Sequence, residues 1–270
     1  MKSSVLLGQI ASGSTVEASH LNGCPTSKLD CIDRAVYGGS RMSYLGSKAA
    51  SGAYQAIIAQ MPPHDLYIET HLGTGAVLRH KPAAARSIGI ERDAELLKHF
   101  QCDYDVELVE QDCIEWLKSF NFYLGCRILV YADPPYLLST RTSRKRYKYD
   151  YDENDHKELL RLLPTLPTMV MISGYPSTLY DVWLRGWRTL EFQVMSRGGV
   201  RTEKLWMNFP AQGVHWAACA GKDFTDRQRI KRKAQRWADN YRRLPAGERT
   251  AILEALLNTH SDPAQTKTSM

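Results

Sequence analysis

The residues Asp133-Pro134-Pro135-Tyr136 are where this sequence most plainly could do chemistry. They follow residues 127–132 (RILVYA), an apolar, β-rich run that reads as a buried strand. Two consecutive prolines fix φ and remove two backbone donors, while their carbonyls remain able to accept. The Asp133 carboxylate and the Pro134 carbonyl therefore form a rigid pair of acceptors, matched to a group that offers two N–H donors. An exocyclic amine on a heteroaromatic ring is such a group. Its lone pair is delocalised into the ring, which makes it a poor nucleophile. Two accepted hydrogen bonds draw the nitrogen toward sp³ geometry and aim the localised pair at an electrophile. The carboxylate stabilises the positive charge that develops on nitrogen and need not be a strong base. Tyr136 adds a flat face for stacking. No covalent adduct is needed, and no cysteine adjoins the tetrapeptide.

A second group of residues could hold a ligand. Residues 65–69 (DLYIE) read as a strand that ends in Glu69 and runs into His71-Leu72-Gly73-Thr74-Gly75. Gly73 and Gly75 allow a tight turn and a close backbone approach that a Cβ would block. Glu91 closes the next strand, 22 residues after Glu69, where a carboxylate can accept from both hydroxyls of a ribose. Asp112 closes the third strand, where it can reach an adenine amine. The dinucleotide fingerprint is absent, because Leu78 stands where its third glycine belongs. That departure favours a ligand without phosphates.

These residues need a scaffold that brings strand ends together. Periodicity predicts helices over 49–60, 94–100, 114–118, 153–163 and 179–184, and strands over 65–69, 87–90, 106–109, 127–132, 169–173, 189–195 and 204–209. Alternation of this kind belongs to an α/β chain with an open, mostly parallel sheet covered on both faces. The last two strands, joined by a Gly-rich loop, suggest one antiparallel partner at the edge. In such sheets ligands sit beyond the carboxyl ends of the strands, which is where Glu69, Glu91, Asp112 and Asp133 fall.

Composition is that of a globular chain of 270 residues with a formal charge of +6, a balance that suits a polyanionic partner without proving one. Six cysteines lack C-x-x-C or zinc-ligand spacing and read as reduced thiols, with no metal site. The apolar run Val5-Leu6-Leu7 is too short for a signal-peptide core, and no stretch approaches membrane-spanning length, so the expectation is an intracellular, cytoplasmic location.

Taken together, the motifs resemble the DNA adenine methylases of the Dam type, over roughly residues 44–209. Residues 44–48 (YLGSK) look like that family's N-terminal cofactor motif, residues 67–75 like its Gly-rich motif, residues 133–136 like its catalytic motif, and residues 201–209 (RTEKLWMNF) like its late strand. The resemblance implies a Rossmann-like, seven-stranded methyltransferase sheet with a small helical C-terminal segment. It also implies S-adenosylmethionine as cofactor and methyl transfer to the N6 amine of a flipped-out adenine. Tyr44, Gly46, Lys48, Glu69, Gly73, Gly75, Glu91, Asp112 and Asp133 would hold the cofactor, and Asp133, Pro134, Pro135 and Tyr136 would act on the base. Methylation of RNA or of a protein amide stays open, since related tetrapeptides with Asn in first place serve such substrates. The family's recognition insert is missing, because only about twenty residues separate Asp112 from Asp133, so its target sequence does not carry over.

A base inside a duplex must be flipped out, and something must grip the backbone to offset that cost. Residues 139–151 (STRTSRKRYKYDY) interleave Arg141, Arg144, Lys145, Arg146 and Lys148 with Tyr147 and two further tyrosines, a set suited to phosphates and to stacking. Arg197 and Arg201 form a second basic loop. The expected organisation is an arm over 1–40, a methyltransferase domain over 41–221 with DNA-contacting loops at 137–154 and 195–203, a basic helical segment over 222–258, and a disordered tail over 259–270. The basic helix could instead be a packing face or a homodimer face, through Ile230, Trp237 and Tyr241. The expected partner is double-stranded DNA.

Overall fold

The computed structural model describes residues 48–49, 52–141, 148–196, 199–211 and 216–261. Among these, seven strands form one sheet: β1 (Leu66–Thr70), β2 (Arg86–Glu91), β3 (Glu107–Glu110), β4 (Ile128–Ala132), β5 (Met169–Gly174), β6 (Arg188–Ser196) and β7 (Gly199–Met207), in the order β3-β2-β1-β4-β5-β7-β6. The first five are mutually parallel, and β7 runs antiparallel to both β5 and β6. Every residue of β1 and β4 is buried, which is why both read as unbroken apolar runs rather than alternating ones.

The side-chain period of two divides the core between the faces. Leu66, Ile68, Ile88, Ile90, Ile128, Val130, Val170, Ile172 and Trp206 point to one face. There they meet α4 (Cys113–Ser119), α5 (Glu153–Leu162) and α6 (Thr178–Trp183) through Trp116, Leu117, Leu159, Leu160 and Tyr180. Tyr67, Leu129, Tyr131, Met171, Leu205 and Met207 point to the other, against Ile57 and Ile58 of α1 (Ala53–Ile58) and Val77 and Leu78 of α2 (Ala76–His80). Each fully buried aliphatic side chain contributes about 1.5–3 kcal/mol relative to exposure. With α3 (Ala94–Lys98) following β2, this is a seven-stranded, Rossmann-like mixed sheet with helices on both faces.

The strand order reverses direction between β1 and β4. At such a switch point the connections leave in opposite directions, and a crevice opens beyond the carboxyl ends of the two strands. Glu69 and the turn after it flank that crevice from β1, and Asp133 flanks it from β4.

Four features depart from the sequence expectations. The first helix begins at Ala53, behind an N-cap glycine, Gly52, at φ 93°. Helix α2, five residues long, was not foreseen, because it is shorter than any periodicity can reveal. Strand β7 begins at Gly199 rather than 204, since its first half is an exposed two-stranded ribbon without an apolar signal until Leu205. The reversed strand lies one place in from the edge, with β6 outermost.

Two charged helices end the described chain, α7 (Phe224–Arg243) and α8 (Ala246–Ser261), so residues 259–261 are helical where a tail was expected. Asp223 caps α7 by accepting from the Asp226 N–H, and no residue of α7 is buried. Among the described residues no helix is long and apolar enough to cross a membrane.

Candidate active site

A cavity occupies the crevice between β1 and β4. Glu69, Gly73, Glu91, Asp112, Asp133, Pro134, Pro135 and Tyr136 all line it, joined by Lys48, Arg92, Asp93 and Lys148. The structure thus brings the Asp133–Tyr136 tetrapeptide and three of the acidic strand ends to one place. Tyr44, Gly46, Arg144, Lys145, Arg146, Tyr147 and Arg197 lie outside the described residues.

Asp133 is held from two sides. Its Oδ1 accepts from Ser173 Oγ at 2.7 Å and pairs with Lys48 Nζ at 2.7 Å. The same ammonium donates to the Tyr136 hydroxyl at 3.0 Å and lies 3.4 Å from Glu203 Oε2, while that hydroxyl donates to Glu203 Oε1 at 2.8 Å. The three hydrogens of Lys48 thus have three oxygen neighbours, in a place where its side chain is 3% exposed. Burial works against the charge, but the Asp133 and Glu203 carboxylates overcome it and hold the ammonium well above the usual lysine range. Two of these oxygens, of Asp133 and Tyr136, belong to the tetrapeptide, so Lys48, expected among the residues that hold the cofactor, braces the tetrapeptide.

The β1 end is equally determined. Glu91 Oε2 accepts from the Gly73 N–H at 2.7 Å, and its Oε1 accepts from the N–H groups of Arg92 and Asp93 at 2.9 Å each. Gly73 has φ 53°, in the left-handed region. Gly75, at φ 63°, does not line the cavity; a Cβ there would stand 2.3 Å from the Phe100 ring, so packing and backbone, not ligand approach, require glycine. Asp112 caps α4 through Oδ1, which accepts from the N–H groups of Ile114 and Glu115, and its Oδ2 lies 3.6 Å from Arg92. Glu69 sits deeper, 2% exposed, and accepts from Tyr67 Oη at 2.8 Å; burial lifts its carboxyl to about 8.

Sequence reasoning assigned no role to several residues here. His71, a non-glycine at φ 57°, is fixed by Thr70 Oγ1 at its Nδ1 and by Tyr151 Oη, 2.9 Å from its Nε2. Cys113 Sγ lies 3.1 Å from the same nitrogen. Burial pushes the imidazole down to about 4 and the thiol up to about 12, so both are neutral and Cys113 is no nucleophile at ordinary pH. Ser173 and Tyr175 follow the same rule that singled out Asp133, since they stand at the carboxyl end of a buried strand. Glu203 lies within the late-strand motif, yet only the fold brings it to Tyr136.

The basic segment after the tetrapeptide turns inward at Arg141, while Lys148 and Tyr149 stay exposed. The Arg141 guanidinium, 6% exposed, forms a bidentate pair with Asp150 and donates from Nε to the Tyr136 carbonyl. Its donors are spent within the chain, a correction to its expected place on a DNA-facing surface. Lys148 pairs with Asp93 at 2.7 Å, and Arg92 lies over the Tyr149 ring at 5.2 Å, so this stretch straps the mouth of the cavity. Arg201 lies at the edge of the sheet, over the Tyr175 ring.

No protein-family model and no curated protein matches the chain. Solved structures do. They include the SAM-dependent methyltransferase from Agrobacterium tumefaciens (10% identity, 58% of this chain and 60% of that one, TM-score 0.39). The 23S rRNA methyltransferase ErmE aligns at 13% identity over 62% of this chain and 71% of its own, TM-score 0.39. A dimethyladenosine transferase from Plasmodium falciparum aligns at 12% over 57% and 60%, TM-score 0.35.

Proposed function

We propose that the protein transfers the methyl group of S-adenosylmethionine to the exocyclic N6 amine of an adenine flipped out of duplex DNA. The observation that carries this reading is the Asp133 carboxylate, fixed through Oδ1 by Lys48 and Ser173 at the mouth of an acidic cavity on the switch point of the sheet. The lining supports the cofactor. Four carboxylates, of Glu91, Asp93, Asp112 and Asp133, outnumber the cations Lys48, Arg92 and Lys148 there, and the Glu69 carboxyl, lifted to about 8, adds a neutral hydrogen-bonding group; this suits a sulfonium, a ribose and an adenine amine and disfavours a pyrophosphate. Glu91 would accept from the ribose hydroxyls, Asp112 Oδ2 from the adenine amine, and the Gly73 turn would face the amino-acid end. The cofactor supplies an electrophilic methyl carbon on sulfur.

The chain's own groups do the rest. Asp133, through Oδ2, and the Pro134 carbonyl accept the two N–H bonds of the target amine and localise its lone pair. The carboxylate stabilises the charge that grows on nitrogen, and the departing proton leaves by way of Asp133 to solvent. Lys48 holds the Asp133 plane and the Tyr136 hydroxyl together. Tyr136 stacks on Tyr175 at 4.1 Å between centroids and carries the Lys48 ammonium 4.8 Å from its ring centre, which fixes the ring beside the place where the base would lie.

The test is transfer of radiolabelled methyl groups to duplex DNA, RNA and protein in parallel. Label is expected in DNA as N6-methyladenine, and Asp133→Ala is expected to lower the rate by about 10²–10³ or more, as for loss of other preorganised polar contacts in an active site. Label in RNA or protein alone would replace the DNA reading, and no transfer to any acceptor would end the enzyme reading.

A further inference from the structure

A second hollow, of about 420 Å³, opens beside the first and differs from it in chemistry. Ser139, Thr140, Tyr175, Pro176, Arg201 and Thr202 bound it, which gives one guanidinium, an aromatic ring and four hydroxyls, of which that of Thr140 donates to the Leu137 carbonyl and that of Thr202 accepts from Gln193, with no carboxylate in the lining. Its walls are continuous with the catalytic tetrapeptide. Ser139 and Thr140 lie in the 3₁₀ turn Leu138–Thr140, directly after Tyr136. Tyr175 stacks on Tyr136 with the rings 20° from parallel, and the Arg201 guanidinium lies 5.9 Å from the Tyr175 ring centre. Tyr175 thus touches both the tetrapeptide and the guanidinium of the hollow.

We propose that this hollow binds a backbone phosphodiester of the nucleic acid, next to the nucleotide that is methylated. The inference rests on the nucleic-acid substrate proposed above. A guanidinium among hydroxyls matches phosphate oxygens, which accept charge-assisted hydrogen bonds, while the acidic cavity repels them. The two cavities therefore sort one substrate by charge: the neutral base and the cationic methyl donor go to the carboxylates, and the anionic backbone goes to Arg201. Tyr175 has a double part, since one contact aligns Tyr136 and the other orients the guanidinium.

The test is binding of fluorescent duplex DNA and RNA by anisotropy over a range of salt concentrations, a readout that needs no turnover. Arg201→Ala is expected to weaken binding by about fivefold to tenfold at moderate salt and to reduce the salt slope by about 1, as for loss of one phosphate contact. Arg201→Lys is expected to restore most of the slope, and cofactor affinity and thermal midpoint should match the wild-type chain in both variants. A neutral methylphosphonate beside the adenine that the wild-type enzyme modifies should cost the wild-type chain the same factor and Arg201→Ala nothing more. The proposal is overturned if Arg201→Ala keeps wild-type affinity and slope, if the neutral linkage weakens both proteins equally, or if the wild-type chain binds no nucleic acid. Methyl transfer to protein alone would instead sink the function proposed above.

Discussion

At the scale of single residues, the site turns on a cation buried between two carboxylates. Lys48 exists as an ion only because Asp133 and Glu203 flank it, and they tolerate burial only because it is there. Removing one member of such a group leaves uncompensated buried charge, at about 3–5 kcal/mol. Lys48→Met is therefore expected to lower the unfolding free energy by about that amount in urea titrations near neutral pH. Adding Glu203→Gln should recover part of the loss, whereas a purely steric role for Lys48 predicts no recovery. Because the folded-state pKa of Lys48 is raised, its contribution is complete below the unfolded value of about 10.4 and fades only above it.

At the scale of elements, two turns and one strap hold the site. Gly75→Ala would place a Cβ in the Phe100 ring at a positive φ, and a loss of about 1–3 kcal/mol is expected from the backbone alone, measurable by chemical denaturation. The strap depends on the Arg141–Asp150 pair. Asp150→Ala should loosen the stretch that covers the cavity and raise the dissociation constant for S-adenosylmethionine, read by calorimetry; an unchanged constant would mean that the strap does not close over that ligand. What could be read from sequence follows the same division. Asp133, Glu91 and Asp112 were legible because each ends an apolar run, and the carboxyl ends of parallel strands converge by geometry. Arg141 was read outward, since a basic, Tyr-rich run carries no mark of a partner nine residues on. Lys48 and Glu203 were opaque in their roles because 155 residues separate them, and only the pairing of β5 with β7 brings Glu203 to the tetrapeptide.

At the scale of the molecule, buried titratable groups set how the fold responds to pH. Burial pushes His64, His71 and His156 each down to about 4. Their unfolded values lie near about 6.5, so the unfolded chain binds more protons between these limits and stability rises with pH across that window. Glu69 acts in the opposite direction. Its folded value of about 8 lies above an unfolded value near about 4.3, so its contribution is complete at low pH and is lost as pH climbs to 8. Thermal midpoints are therefore expected to peak near about pH 6.5 and to decline toward pH 8, where the histidines are silent. Glu69→Gln should remove the decline and steepen the acid limb, because Glu69 opposes the histidines between about pH 4.3 and 6.5, and a decline that survives the substitution would assign it to another group.

The ladder between β5 and β7 ends at Gly174 and Lys204, yet β7 begins at Gly199. Five residues at about 3.3 Å each carry the ribbon roughly 16 Å past the rim of the sheet. Its base is not free, since Glu203 meets Tyr136 and Lys48 and Arg201 lies over Tyr175, so a change of length must keep those two residues on their present faces. Inserting two residues in each arm would move the tip outward and keep Arg201 and Glu203 facing as they do, whereas inserting one in β7 would turn them to the opposite side. Variants of this architecture that differ in reach should therefore differ by even steps.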